Sequence, residues 1–255
     1  MPDLLRDGVR LHYEDAGSGD AMVLVHGWCC DLRFMAPQAS HFAKGGRVMS
    51  LDLRGHGESD KPRQRYSIEG HADDVAWLCG ELGLARPVVV GHSMGGAVAL
   101  ALAAARPELA RAIVMLDGAI LPSAELLERA DSLARAFGAP DYLQDLRAMV
   151  DRMFMEPDDA ERRAWITDAM LEAPRHVVAA EWRALWAFDS ISAAAKCVVP
   201  AMYVGSQSPV ADMATLRRLM PGLIAAQTAG AGHFHQLEVP EQVNAMIERF
   251  LAIVA

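Results

Sequence analysis

A five-residue segment that reads Gly-His-Ser-Met-Gly, Gly91–Gly95, constrains the fold of this chain more than any other feature. It follows an apolar run, Pro87–Val90, and leads into an alanine-rich stretch, Gly95–Ala105, that is typical of a helix packed closely on a sheet. A strand, a very tight turn and a helix in this order expose the central side chain, Ser93, at the end of the strand. The flanking glycines leave room for the turn, and the helix N-terminus presents backbone N–H groups to negative charge. We therefore predict that Ser93 is a nucleophile.

Short apolar runs alternate with helical patterns along most of the chain, which predicts an α/β fold with a mostly parallel central sheet and helices on both faces. The runs that predict strands are Val9–Glu14, taken as an edge strand, Met22–Val25, Arg47–Leu51, Pro87–Val90, Ala112–Leu116, Val198–Val204 and Leu223–Thr228. Helical spacing predicts helices over Gly70–Leu82, Gly95–Ala105 and Pro240–Ile253. A chain of 255 residues is long enough for one such domain with an insertion.

The segment 121–195 interrupts this alternation, because it contains no convincing strand. We interpret it as an all-helical cap inserted into a core formed by residues 1–120 and 196–255. About four helices are expected in the cap, with a proline near the start of several of them, where proline is tolerated. These prolines are Pro140, Pro157 and Pro174.

Charge and cysteine content exclude several classes of function. The net charge is −9 and no Lys/Arg run is present, so the chain is a poor candidate for binding nucleic acid or an anionic membrane surface. The four cysteines match no zinc pattern, and the adjacent pair Cys29 and Cys30 is poorly placed for a disulfide, which favours free thiols in a reducing compartment. No signal peptide and no apolar run of ~20 residues is visible, so we expect a cytoplasmic protein. The sequence predicts no oligomeric state.

A serine hydroxyl is a weak nucleophile and needs a general base. Nine histidines are present, and the base is expected on a late loop that faces the turn at Ser93. His233 and His235 fit this position, since they follow the last predicted strand within Gly230–Glu238. The residues alone leave both histidines open.

Four motifs in the same order resemble the α/β-hydrolase superfamily over nearly the whole chain. They are the segments His26–Trp28, Asp52–Ser59, Gly91–Gly96 and Gly232–His233, with Glu238 and Pro240 behind the last. The resemblance implies the α/β-hydrolase fold and catalysis by a Ser-His-acid triad without a metal or other cofactor, but it does not imply a substrate. We expect Asp52 and its glycine-rich loop to be structural, because the glycines allow the chain to cross the edge of the sheet, and we expect Glu238 to be a carboxylate at a helix N-terminus.

The resemblance favours His233 as the base, because this histidine directly follows Gly232. By the same resemblance, the backbone N–H groups of Trp28 and Met94 form the oxyanion hole. The Trp28 side chain would then be free to form part of the pocket wall, and His235 would line the pocket or support it from behind.

The expected acid is missing from its usual place. In most members of the superfamily an Asp follows the strand after the cap, whereas Ser208 stands there in this chain. Some α/β-hydrolases carry the acid at the end of the preceding strand instead, and Asp117 occupies that position here. We therefore choose Asp117, with Asp212 and a Ser–His pair that lacks an acid as the alternatives.

The predicted function is hydrolysis of a small-molecule carboxylic ester or lactone that carries an apolar part. An apolar pocket is expected from Trp28, Met153, Trp182, Trp186 and His235, although Met and Trp residues in the cap suit a small core equally well. The serine excludes the dehalogenases and epoxide hydrolases of this fold, which need a carboxylate at position 93. A carbon–carbon bond hydrolase of ring-cleavage products is an alternative, since cap arginines could bind an anionic substrate, and a perhydrolase side activity is possible in this fold. A ligand-binding receptor without catalysis is the alternative from a different class.

Overall fold

The computed structural model describes residues 2–122, 124–156 and 158–254, and over these residues the predicted α/β fold is confirmed. The strands are β1 (Asp3–Arg6), β2 (Val9–Gly17), β3 (Ala21–Val25), β4 (Arg47–Leu51), β5 (Val88–His92), β6 (Ala112–Leu116), β7 (Ala201–Gly205) and β8 (Ile224–Gln227). The helices are α1 (Ala36–Phe42), α2 (Ile68–Glu81), α3 (Met94–Ala105), α4 (Ala124–Ala136), α5 (Tyr142–Asp151), α6 (Ala160–Leu171), α7 (Arg175–Ala187), α8 (Ser190–Lys196), α9 (Met213–Leu219), α10 (His235–Glu238) and α11 (Pro240–Val254).

The strands form a single sheet in the order β1-β2-β4-β3-β5-β6-β7-β8. Strand β2 is antiparallel to both β1 and β4, and all the other neighbours are parallel. The central strands are buried on both faces, as parallel strands covered by helices must be. On β5, Val89 faces the core that includes α2 and α3, whereas Val88 and Val90 face the core that includes α11.

The N-terminal hairpin differs from the prediction. The strand expected over Val9–Glu14 continues to Gly17 and is not at the edge, because β1 pairs with its outer side. Strand β1 was missed since only four residues form it and they are half-exposed or exposed. Asp7 and Gly8 join the two strands with positive φ angles of 50° and 78°, which is the conformation that a two-residue hairpin turn requires.

The remaining predicted strands agree with the structure to within a few residues. The largest difference is at β7, which begins at Ala201 instead of Val198. Pro200 lies between these positions, and proline cannot donate a hydrogen bond to a neighbouring strand.

All the regular structure described between β6 and β7 is helical, α4 to α8. Helix α4 packs against α7, and α5 packs against α6. Helix α8, which the sequence analysis assigned to the cap, packs against α3 and α9 instead. Pro140 precedes α5 and Pro174 precedes α7, as predicted, whereas Pro157 lies outside the described residues.

The carboxyl ends of the parallel strands meet at one edge of the sheet. Ser93 follows β5, Asp117 follows the adjacent β6, and His233 lies on the loop after β8. The Ser93 N–H donates a 2.9 Å hydrogen bond to the carbonyl of Leu116, so the ends of β5 and β6 are held together. Within the described ranges, no helix has the length and apolar character needed to cross a membrane.

Candidate active site

The turn at Ser93 is tight and strained. Ser93 has a φ of +52° and a ψ of −114°, a conformation that costs a residue with a Cβ on the order of 1–3 kcal/mol. A Cβ on Gly91 would lie 2.0 Å from the carbonyl oxygen of Gly95, and a Cβ on Gly95 would lie 2.2 Å from that of Val25. Only glycine fits these two positions, which explains why the motif carries a glycine on each side of Ser93.

His233 and Asp117 form a short contact beside Ser93. The Nδ1 atom of His233 lies 2.7 Å from Oδ2 of Asp117, although 116 residues separate them in the chain. Ser93, His233 and Asp117 all line the same cavity. The hydroxyl of Ser93 makes no hydrogen bond to any described residue, and a nucleophile often contacts its base only when substrate is bound.

The other oxygen of Asp117 is held by the end of β7 and the loop after it. Its Oδ1 lies 3.3 Å from the hydroxyl of Tyr203, 3.4 Å from the N–H of Ser206 and 3.2 Å from the N–H of Val210. The strand and loop that carry the acid in most members of the superfamily therefore supply hydrogen-bond donors to an acid on the neighbouring strand. Sequence reasoning missed Tyr203, because it reads as one more apolar residue of a buried strand.

The charge state of Asp117 follows from its surroundings. Burial alone would raise its pKa, but the hydrogen bond from His233 and the nearby imidazoles outweigh burial and lower the pKa to about 2. A carboxylate can only accept hydrogen bonds, so the Nδ1 atom of His233 carries the proton in this contact. The Nε2 atom of the neutral ring is then free to accept a proton, which is the state that a general base needs.

The alternative acid Asp212 is placed elsewhere. It is exposed and caps the N-terminus of α9, where it accepts hydrogen bonds from the N–H groups of Ala214 and Thr215. Ser208, at the usual position of the acid, lines the cavity but has no carboxylate to offer. Among the three possibilities left open by the sequence, the structure brings Asp117 to the histidine.

Two backbone N–H groups next to Ser93 have no hydrogen-bond acceptor among the described residues. A Cβ on Gly27 would lie 3.2 Å from Cβ of Ser93, so the loop after β3 passes directly beside the serine. The N–H groups of Trp28 and Met94 donate to no described residue, and Met94 is the first residue of α3. Free N–H groups beside a nucleophile, one of them at a helix N-terminus, suit the stabilisation of a developing oxyanion.

The loop that carries His233 is anchored to the cap. The N–H of His233 donates a 2.8 Å hydrogen bond to the carbonyl of Met153, and a Cβ on Gly232 would lie only 2.7 Å from that oxygen. Glu238 accepts a 2.8 Å hydrogen bond from the N–H of Gly232. Glu238 lies in the single turn of the four-residue helix α10, so it is near the N-terminus of that helix as expected, and it also holds the His233 loop.

The cavity has a volume of about 280 Å³, and the cap contributes most of its apolar side chains. Four of the five predicted pocket residues line it, namely Trp28, Met153, Trp182 and Trp186. The ring centroids of Trp28 and Trp182 also lie 5.0 Å apart, with the ring planes tilted by 54°, so the same residues join the cap to the core. Sequence reasoning did not single out Arg152 among the cap arginines; it lines the cavity, and its guanidinium makes no hydrogen bond or ion pair with any described residue.

His235 does not line the cavity, which corrects its prediction as a pocket residue. It begins α10 and is fully buried, with Nδ1 3.2 Å from the hydroxyl of Thr228. Burial lowers its pKa to about 4, so the ring is neutral at neutral pH. Because His235 is the first residue of α10 on the side that faces the protein interior, its side chain does not point toward Ser93.

His26 and Asp52 hold the loops behind the site. The Nε2 atom of His26 accepts a 3.0 Å hydrogen bond from the N–H of Leu53, and burial lowers the pKa of His26 to about 4. Asp52 accepts hydrogen bonds from the N–H groups of Leu32 and Glu58. Neither side chain lines the cavity of Ser93.

The four cysteines are free, and burial raises the pKa of both the Cys29 and the Cys30 thiols. In the part of the chain that the structure describes, no group of three or more His, Cys, Asp or Glu side chains is arranged to hold a metal ion.

Comparisons with known proteins agree with this architecture. Residues 20–240 match the family described as the alpha/beta hydrolase fold. The AB hydrolase superfamily protein YisY of Bacillus subtilis is 28% identical over 257 residues, which cover 95% of this chain and 95% of that protein. A thermophilic esterase from Thermogutta terrifontis matches with a TM-score of 0.87 at 28% identity, over 96% of this chain and 94% of its own. The enol-lactonase from Burkholderia xenovorans LB400 matches with a TM-score of 0.87 at 27% identity, over 98% and 100%.

Proposed function

Because this chain belongs to the alpha/beta hydrolase fold family, we propose that it hydrolyses a carboxylic ester or lactone through an acyl-enzyme on Ser93. The similar solved structures of an esterase and an enol-lactonase support a hydrolase of this kind. One observation carries the proposal: the 2.7 Å contact between His233 and a buried, ionised Asp117, in the cavity that Ser93 also lines.

In the first half of the reaction, Ser93 Oγ attacks the carbonyl carbon and its proton passes to Nε2 of His233. The N–H groups of Trp28 and Met94 stabilise the oxyanion of the tetrahedral intermediate. The imidazolium formed on His233 is stabilised by Asp117, and His233 then gives its proton to the leaving alkoxide. The leaving group of a lactone stays attached to the acyl part as a hydroxyl.

In the second half, water attacks the acyl-enzyme, and His233 takes a proton from this water. Collapse of the second tetrahedral intermediate returns the proton to Ser93 Oγ and releases a carboxylic acid. The chemistry of both halves is supplied by residues of this chain.

The lining of the cavity supports a substrate with an apolar part. Methionine and tryptophan side chains of the cap, Met153, Trp182 and Trp186 among them, surround the space above Ser93. Burial of such a part stabilises binding by about 0.8 kcal/mol for each methylene group.

The test is hydrolysis of p-nitrophenyl acetate and p-nitrophenyl butyrate by the wild type and by Ser93→Ala. We expect turnover in the wild type, a loss of more than about 10³-fold in the variant, and an acyl group on Ser93 in the quenched wild-type reaction by mass spectrometry. Equal rates in the two proteins would contradict the proposal. Ligand binding that is indifferent to Ser93→Ala, with no turnover of any ester, would favour a binding protein on the same fold.

Arg152 favours a second candidate, hydrolysis of a carbon–carbon bond in an anionic substrate. Its guanidinium has no partner among the described residues and lines the cavity, so it could bind a substrate carboxylate. Loss of dienoate absorbance on incubation with a ring-cleavage product would support this candidate, and Arg152→Met should then raise KM about ten-fold or more.

A further inference from the structure

A second cavity of about 320 Å³ lies next to the cavity of Ser93. The two cavities share three lining residues, Ala119, Leu185 and Trp186. Trp186 is by far the largest of the three, which makes its indole the main candidate for a partition between the two spaces. Helix α7 ends at Ala187, which places this tryptophan in the last turn of the helix.

Trp186 lacks the indole hydrogen bond that the other two tryptophans of the catalytic cavity make. The indole N–H of Trp28 donates to the carbonyl of Val178 at 3.1 Å, and that of Trp182 donates to the carbonyl of Ala130 at 3.0 Å. The indole N–H of Trp186 is buried and has no hydrogen-bond partner among the residues that the structure describes. An unpaired buried donor is unfavourable, and a turn of the ring toward water or a ligand would remove this cost.

The lining of the second cavity selects its occupant. Leu121, Leu127 and Ile191 contribute apolar surface. The ionisable groups among its described residues are two carboxylates that cap helices, Asp189 on α8 and Asp212 on α9. Hydrogen bonds from the capped helices hold the pKa of both carboxyl groups below the ordinary value. Such a space suits a neutral apolar chain and repels an anionic one.

Its position indicates which part of an ester would enter it. The leaving alcohol must lie beside His233, which protonates it. The residues next to His233, namely Met153, Gly232 and Phe234, do not line the second cavity. The acyl part, bound to Ser93, is therefore the part that faces the partition.

We propose that the second cavity is an acyl-chain compartment that opens when the Trp186 indole turns aside. This proposal rests on the acyl-enzyme mechanism given above. Short acyl groups stay in the cavity of Ser93, whereas longer neutral chains displace the indole and fill both spaces. Trp186 then determines the chain-length specificity of the enzyme.

The test compares kcat/KM for p-nitrophenyl decanoate with that for p-nitrophenyl butyrate. Trp186→Ala removes the partition and should raise the decanoate-to-butyrate ratio at least ten-fold, because each newly buried methylene contributes about four-fold. Thr215→Phe places a larger side chain of α9 in the second cavity. This variant should have a lower decanoate-to-butyrate ratio than the wild type, while its butyrate turnover stays unchanged. The double variant Trp186→Ala/Thr215→Phe should not show the increase in the decanoate-to-butyrate ratio that Trp186→Ala shows alone. Trp165→Ala is the matched control, because Trp165 lines neither cavity and should leave the ratio unchanged.

An unchanged ratio in both Trp186→Ala and Thr215→Phe would overturn the compartment, and if Trp186→Ala does not fold, Thr215→Phe decides alone. Ser93-dependent turnover of butyrate tests the acyl-enzyme mechanism separately. If no ester is turned over, the affinity of the Ser93→Ala variant for methyl decanoate, measured by calorimetry, tests the compartment directly. Thr215→Phe should weaken that binding about ten-fold or more, and equal binding would overturn the proposal.

Discussion

Two imidazole–carboxylate pairs of almost equal length lie in different parts of this molecule. The pair His233–Asp117 measures 2.7 Å, and the pair His71–Glu181, which joins α2 to the cap helix α7, measures 2.8 Å. The first pair lies on the wall of a cavity beside Ser93, whereas both side chains of the second are 2% exposed or less and line no cavity with a nucleophile. A short contact between histidine and carboxylate is therefore not sufficient for catalysis.

The two pairs also differ in their remaining hydrogen bonds. The second oxygen of Asp117 accepts from three donors, whereas Oε2 of Glu181 and Nδ1 of His71 have no hydrogen-bond partner in the described part of the chain. Glu181 instead joins the cap helix α7 to the core helix α2 through its contact with His71. The same cap helix accepts a hydrogen bond from the indole of Trp28 at the carbonyl of Val178. We expect the first pair to control the rate and the second to control stability.

The largest effect is expected from Asp117→Asn. The asparagine amide would donate to Nδ1 of His233 and place the proton of the ring on Nε2, where it blocks the acceptance of the serine proton. We expect kcat for p-nitrophenyl butyrate to fall on the order of 10⁴-fold. Asp212→Asn is the matched control and should keep the wild-type rate. A fast Asp117→Asn enzyme would end the assignment of the acid.

Glu181→Gln should act on stability. Removing one partner from a buried pair costs about 3–5 kcal/mol, so the free energy of unfolding measured with urea should fall by that amount. The kcat of the folded fraction should change by less than about three-fold. Glu248→Gln breaks an exposed pair with His41, which is 2.7 Å long, and should change stability little. A loss of kcat that matches Asp117→Asn would remove the distinction between the two pairs.

The pH dependence of stability sharpens the same comparison. Burial alone would lower the pKa of His71, but Glu181 outweighs it and raises the pKa above the ordinary 6.5. The pair therefore contributes fully below pH 6.5, and its contribution is lost as the pH rises through the folded-state pKa. The stability gap between the wild type and Glu181→Gln should narrow at alkaline pH, as measured by urea unfolding across pH 5–10. A gap that widens there would contradict the assignment.

The smallest effect is expected from Tyr203→Phe. It removes one of the donors to Asp117 and leaves the contact with His233 in place. A single hydrogen bond of this kind is worth about 0.5–1.5 kcal/mol, so kcat should fall by roughly two- to ten-fold. Tyr142→Phe, which removes a hydrogen bond within the cap, is the control and should leave kcat unchanged.

Local pattern was sufficient for most of the fold. The strands Arg47–Leu51 and Ala112–Leu116 were predicted to the residue, because buried parallel strands are continuous apolar runs. The turn at Ser93 was also predicted from local sequence. Its two glycines are required because backbone atoms of Gly95 and Val25 leave no room for a Cβ at Gly91 or Gly95. The hairpin of β1 and β2 has a local signal too, the Asp7-Gly8 pair that is typical of a two-residue turn, although the strand β1 was not predicted.

Residue pattern alone therefore identified the fold class, the tight turn at Ser93 and a short set of candidates for the base and the acid. Which candidate carboxylate reaches His233 depends on the tertiary structure, because Asp117 and His233 meet through the side-by-side ends of parallel strands and not through any spacing along the chain. The tertiary structure also places His235 in the interior and Trp186 in the lining of two cavities. The direction of a side chain on a short helix and the space left between packed helices depend on all the surrounding contacts, and periodicity does not encode them.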